Sequence, residues 1–202
     1  VCFLHSDPTI PDRTKAILSG NELEVINRLI KGVACLDAQG AELIVITCIS
    51  SHYFQGYLPK KLRAKVLSLL DWLIDQVCLL DEPSLLLATT GTMKSGIIQR
   101  HLLWPKSGRV ILPDPEDQTY IHDYIYNELK MNRAGDPNAF LDRLAAKYGV
   151  DLFIAGCTEF HCMNKVLIGM GNSSYSFTDP LYSIAEALPE LLGEKLSLLH
   201  KE

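Results

Sequence analysis

Apolar residues along the chain recur with two different spacings, and the two alternate. Leu43–Thr47 (LIVIT) is a continuous, largely β-branched run, as expected of a strand covered on both faces. Ser84–Thr89 (SLLLAT), Arg109–Leu112, Asp151–Ala155 and Ser176–Thr178 read as further strands, and Val1–His5 is a short strand-like run broken by Pro8 and Pro11. Between them the spacing becomes helical, with Leu23, Ile26, Leu29, Ile30, Val33 and Leu36 on one face of Asn21–Gln39. Val66, Leu69, Leu70, Leu73, Ile74 and Val77 do the same within Pro59–Leu80. A short helix follows Gly91 to about Leu103. Gln118–Met131 and Asn138–Tyr148 are helices divided by Gly135, Asp136 and Pro137, and Ile184–Leu199 closes the chain. Strand and helix in alternation predict an α/β fold with parallel sheets and helices on both faces.

The pattern also repeats. A strand, a proline loop (SDPTIPDRT), helix, strand and cysteine in the first half answer to a strand, LPDPEDQT, helices, strand and cysteine in the second. The spacing from Pro8 to Cys48 nearly equals that from Pro115 to Cys157. This predicts two similar α/β domains about a pseudo-twofold axis, residues 1–80 with 178–202 and residues 81–177, with a cleft between them. Ligands of parallel sheets bind beyond the carboxyl ends of strands, where VITCISSH and FIAGCTEFH place Cys48 and Cys157.

Composition narrows the function. The net charge of −5 and scattered basic residues argue against nucleic acid, and no apolar run reaches the ~18 residues of a membrane span. The chain opens at Val1 without Met or a recognisable targeting segment, which reads as the interior of a longer protein or a trimmed chain. Six cysteines without C-x-x-C spacing, in a chain 48% hydrophobic, indicate reduced thiols in a cytoplasmic protein, with neither a zinc site nor a dithiol redox centre. Cys2, Cys35, Cys78 and Cys162 are expected to be buried structural thiols.

Cys48 and Cys157 differ, because each follows a strand and precedes a turn into helix, whose amides favour a thiolate. Ser50, Ser51 and Thr158 can donate hydrogen bonds there, and Glu159 lies within a turn. Two thiols on opposite faces of one carbon suit stereochemical inversion: one removes a proton while the other returns one. The developing negative charge needs fixed donors, which the Thr90 and Thr92 hydroxyls and nearby cations can supply.

IPDRT (Ile10–Thr14), TCISSH (Thr47–His52), LLATTGT (Leu86–Thr92), LPDPEDQTYIHDYIYNELK (Leu112–Lys130) and AGCTEFH (Ala155–His161) together resemble the aspartate/glutamate racemase superfamily, above all its aspartate racemase branch. The resemblance covers nearly the whole chain in order. It implies a cofactor-independent, commonly dimeric racemase of acidic amino acids, with Cys48 and Cys157 as the acid/base pair. It also implies that Arg13 and Lys130 bind substrate carboxylates, that Thr90, Gly91 and Thr92 line a carboxylate, and that Thr158 and Glu159 belong to the family's G-C-T-E.

Two departures stand out. Ile49 occupies the place of the family's asparagine in C-N-T-A-H, and the family's first strand and G-G-M-G-P loop have no counterpart in this sequence, so one strand and part of a cleft wall are expected to be missing. These departures keep a non-catalytic binder of an acidic metabolite as a rival reading. A hydantoin racemase or a maleate-isomerase-type enzyme is another; Arg13 with Lys130 favours a dicarboxylate over a hydantoin.

Overall fold

The computed structural model describes residues 1–104, 109–133, 135–171 and 174–199, so the remainder of both expected units lies outside the described residues. Among the described residues the strands form two separate parallel sheets. The larger has the order β4 (Val110–Ile111), β3 (Ser84–Leu87), β5 (Leu152–Ala155) and β6 (Ser176–Thr178). Leu85 pairs with Phe153 and Leu86 with Ile154, and consecutive residues therefore point to opposite faces. Leu85, Leu87, Phe153 and Ala155 pack against helices α6 (Pro115–Tyr124), α7 (Pro137–Tyr148) and α8 (Glu159–Met170) through Ile121, Phe140, Leu144, Phe160 and Met163. Leu86, Ala88 and Ile154 face the other way, onto Leu69, Leu73 and Ile74 of α4 (Leu69–Val77) and Ile184 of α9 (Pro180–Leu199). Trp72 Nε1 donates to Ser183 Oγ at 2.8 Å and ties α4 to α9. Burial on both faces explains the unbroken apolar run of β3.

The smaller sheet pairs β1 (Ile44–Val45) with β2 (Val66–Leu67). Residues 59–80, expected as one helix, are instead α3 (Lys60–Arg63), then β2, then α4. Ser68 causes the break: its side chain accepts from Asp71 N at 3.1 Å and caps α4, leaving Val66 and Leu67 free to extend beside β1. Val1–His5 forms no strand; Val1 and Leu4 are exposed and join no ladder among the described residues. α1 (Arg13–Ser19) was not expected. Asp12 caps its start by accepting from Lys15 N at 2.8 Å, and Gly20, at φ 75°, ends it. α2 (Leu23–Ala38) buries Val25, Ile26, Leu29 and Val33 beneath the small sheet and the 3₁₀ segment Ile49–Tyr57.

Candidate active site

The chain segments leaving β1, β3 and β5 border one cavity. Gly156 makes the turn after β5 possible: a Cβ there would lie 2.8 Å from Leu86 Cδ1 and 3.0 Å from the Leu87 carbonyl oxygen. Of the residues singled out in the sequence, Cys48, Ser50, Cys157, Thr158 and Glu159 line this cavity, as do Arg13, Thr92 and Lys130. Ser51, Thr90 and Gly91 do not. Ser51 is buried with its amide bonded to the Cys48 carbonyl, and the Thr90 amide donates to His122 Nδ1 at 3.4 Å. Gly91 lies in α5 (Thr90–Ser95) and packs against α1, where a Cβ would come within 2.7 Å of Thr14 Cα. Asp12, Thr14, Thr89 and Tyr126 also line the cavity; they lie within the sequence motifs, which assign them no role. Asp12 and Thr14 flank Arg13, and Tyr126 precedes Lys130 by four residues, so helical neighbourhood was the signal available.

The two thiols occupy different surroundings. Cys157 is buried, and its Sγ donates to Glu159 Oε2 at 2.8 Å. Burial pushes this thiol well above the ordinary range, and the Glu159 carboxylate and Cys48 push the same way. The Glu159 backbone amide acts in the direction expected of a helix start, toward the thiolate, and is outweighed. A thiolate at Cys157 is therefore disfavoured, contrary to the sequence expectation. Cys48 is half-buried, with Ser50 Oγ 3.3 Å from its Sγ. Arg13 lines the same cavity: burial opposes its guanidinium, but the surroundings of Cys48, Asp12 and Glu159 together raise its pKa.

Lys130 supplies the second cation. It follows a π-helical turn, Ile125–Leu129, in which the Lys130 amide reaches back to the Ile125 carbonyl at 2.9 Å. Its Nζ lies 3.5 Å from the Tyr126 ring centroid, 3.6 Å from Asp12 Oδ2 and 3.9 Å from Glu159 Oε1. The Tyr126 hydroxyl donates to Asp12 Oδ2 at 2.6 Å. Burial opposes ionisation of both Asp12 and Lys130, yet their partners win, and the carboxyl is lowered while the ammonium is raised. The site thus places two cations among two carboxylates and two thiols.

Residues 1–187 match the family model described as Asp/Glu/hydantoin racemase. The chain belongs to this family. Solved structures agree on the fold: an aspartate racemase of Picrophilus torridus superposes with a TM-score of 0.77 at 23% identity, over 95% of this chain and 79% of that one. An aspartate racemase homologue from Pyrococcus horikoshii gives 0.60 at 23% identity, over 88% and 79%. A glutamate racemase from Campylobacter jejuni gives 0.52 at 19% identity, over 92% and 71%.

Two features of this racemase-family chain bear on how the site works. The enclosed space is only about 20 Å³, room for about one water molecule, so an amino acid needs surrounding side chains to move apart. Ile49 is 1% exposed and packs with Leu69, Leu73 and Ile98 in the core while bordering the cavity. Cys2, Cys35, Cys78 and Cys162 are exposed, not buried as expected; on α2, for example, the buried stripe runs through Leu29, Gly32 and Val33 and leaves Cys35 outside it. No helix among the described residues is long and apolar enough to cross a membrane.

Proposed function

We propose that this family member is a cofactor-independent racemase of acidic amino acids, with aspartate as its first substrate, working by proton exchange between Cys48 and Cys157. The observation that carries the reading is the unequal setting of two thiols on one cavity. Cys157 is kept protonated by burial and Glu159, whereas Cys48 has the Arg13 cation beside it. In one direction Cys48, as thiolate, takes the α-proton: the Cα–H bond breaks, an S–H bond forms, and the electron pair moves into the substrate carboxylate. Cys157 then gives its proton to the opposite face and is left as thiolate. Cys48 then releases the proton it took to solvent, and Cys157 regains one from solvent by way of Glu159, which resets the pair. Arg13 and Lys130 bind the two substrate carboxylates, and the threonines of the Thr89–Thr92 loop supply neutral donors. Two α/β units facing across the cavity, residues 1–80 with 178–202 and residues 81–177, are the architecture that suits this chemistry.

The test is incubation with L-aspartate and L-glutamate in D₂O, following deuterium at Cα and the appearance of the D-enantiomer. Wash-in with inversion, lost in both Cys48→Ala and Cys157→Ala, supports two-base exchange. Binding without wash-in would favour the second reading, a non-catalytic receptor for an acidic metabolite. The apolar packing of Ile49, where the family carries a polar residue, is the observation on that side.

A further inference from the structure

Thr14, Thr89 and Thr92 are 5%, 4% and 1% exposed, and all three line the cavity. Thr14 Oγ1 donates to Thr89 Oγ1 at 3.2 Å. The same Thr89 oxygen receives the Thr92 amide at 3.2 Å, and Thr92 Oγ1 lies 3.0 Å away. The Tyr126 oxygen, whose own proton is committed to Asp12, is a second acceptor near Thr14, but the contact with Thr89 is the one with hydrogen-bond geometry among the described residues.

A hydroxyl has one proton and two lone pairs, which fixes the polarity of this chain. Thr89 fills both lone pairs with Thr14 and the Thr92 amide, so its own proton must go to Thr92 Oγ1. Thr92 then accepts from Thr89, and its own proton has no protein partner among the described residues. That proton is available at the cavity wall. Take away the Thr14 proton and Thr89 can accept from Thr92 instead, which turns the Thr92 proton inward and a lone pair outward. A carboxylate accepts hydrogen bonds and cannot donate, so the second arrangement repels it.

We propose that Thr14 is a positioning residue for anion binding: its hydroxyl orients the Thr89–Thr92 chain so that Thr92 offers an O–H to a carboxylate in the cavity. This rests on the racemase reading above, and it gives the threonine after Arg13 a role distinct from the ion pairing of its neighbours. The contact with Gly91 reinforces it, because α1 sits so close to the Thr89–Thr92 loop that Thr14 has little freedom to turn away.

The experiment compares Thr14→Val, Thr14→Ala and Thr14→Ser in the full chain. It measures kcat and KM for L-aspartate, the Kd of L-aspartate by calorimetry, and the melting temperature. Thr14→Val and Thr14→Ala should raise KM and Kd about tenfold, as for loss of one hydrogen bond to a charged group, with kcat changed far less. Thr14→Ser keeps the proton and should restore wild-type KM. Thr14→Ala avoids the added methyl of valine, should that variant fail to fold. Wild-type KM in either hydroxyl-free variant overturns the proposal, and so does a Thr14→Ser protein as weak as Thr14→Ala at an unchanged melting temperature. A wild-type protein that neither binds aspartate nor exchanges its α-proton sinks the racemase reading and this inference with it, a result visible before any variant is made.

Discussion

Cys157 Sγ donates to Glu159 Oε2 at 2.8 Å, and the opposite oxygen of that carboxylate faces Lys130 Nζ at 3.9 Å. A carboxylate divided between a thiol and an ammonium keeps the thiol protonated while its own charge stays partly neutralised. Glu159→Gln retains an acceptor but removes the charge. In that variant Cys157 should be alkylated by iodoacetamide faster than in the wild type at any given pH. Peptide mapping by mass spectrometry separates it from the exposed Cys2, Cys35, Cys78 and Cys162. An unaltered rate would mean that burial alone sets the thiol.

Arg13→Ala and Lys130→Met should each weaken aspartate binding by about ten- to a hundredfold, the loss of one charge-assisted hydrogen bond to a carboxylate. Calorimetric titration checks this. The two differ in their side effects. Lys130→Met removes one of the two cations beside Asp12 and Glu159, Arg13 being the other, so it should also let the Asp12 carboxyl rise, although the hydrogen bonds from Tyr126 and the Lys15 amide still hold it down.

Ile49→Asn should destabilise the protein instead of activating it. The side chain packs among Leu69, Leu73 and Ile98, and an amide without partners in such a setting costs about 1–3 kcal/mol. Urea denaturation reads this directly. A variant of unchanged stability and higher aspartate turnover would show that the new amide reaches the cavity.

Gly91→Ala tests the contact between α1 and the loop after β3. A Cβ there meets backbone and side-chain atoms of Thr14 at 2.7–2.9 Å, so α1 must shift and carry Arg13 with it. Overpacking of this kind typically costs about 1–3 kcal/mol. The expected outcome is a lower melting temperature together with a raised KM.

Titration of Cys157 should appear in the stability of the fold. Its pKa in the folded protein lies well above the ordinary thiol value of 9.0. Its contribution is therefore complete below the unfolded-state pKa and is lost as the pH rises from there toward the folded value. The melting temperature should fall above about pH 9, and fall less steeply in Cys157→Ala, when followed by circular dichroism.

Much of this was legible in the sequence, and for identifiable reasons. The strands β3 and β5 were clear because burial on both faces leaves uninterrupted apolar runs. Cys48 and Cys157 reach one cavity because each follows a parallel strand. The helix expected over residues 59–80 hid a strand, since Val66, Leu69, Leu70 and Leu73 satisfy a helical spacing while Val66 and Leu67 pair with β1. Only the capping pair Ser68 and Asp71 marked the boundary. α1 was concealed in a proline-rich stretch, although Asp12 and Gly20 bracket it as caps. The state of Cys157 could not be read at all, because it depends on how deeply the sulfur is buried and on the rotamer that brings Glu159 to it.

Lys130 already holds two carboxylates, Asp12 and Glu159, within 4 Å. A dicarboxylate arriving at the cavity therefore does not add an ion pair to a bare ammonium; it exchanges one counter-ion for another that the protein carried itself. Such an exchange releases few dissolved ions. The affinity of the site for aspartate should accordingly vary little with ionic strength, far less than two cations in the wall would suggest.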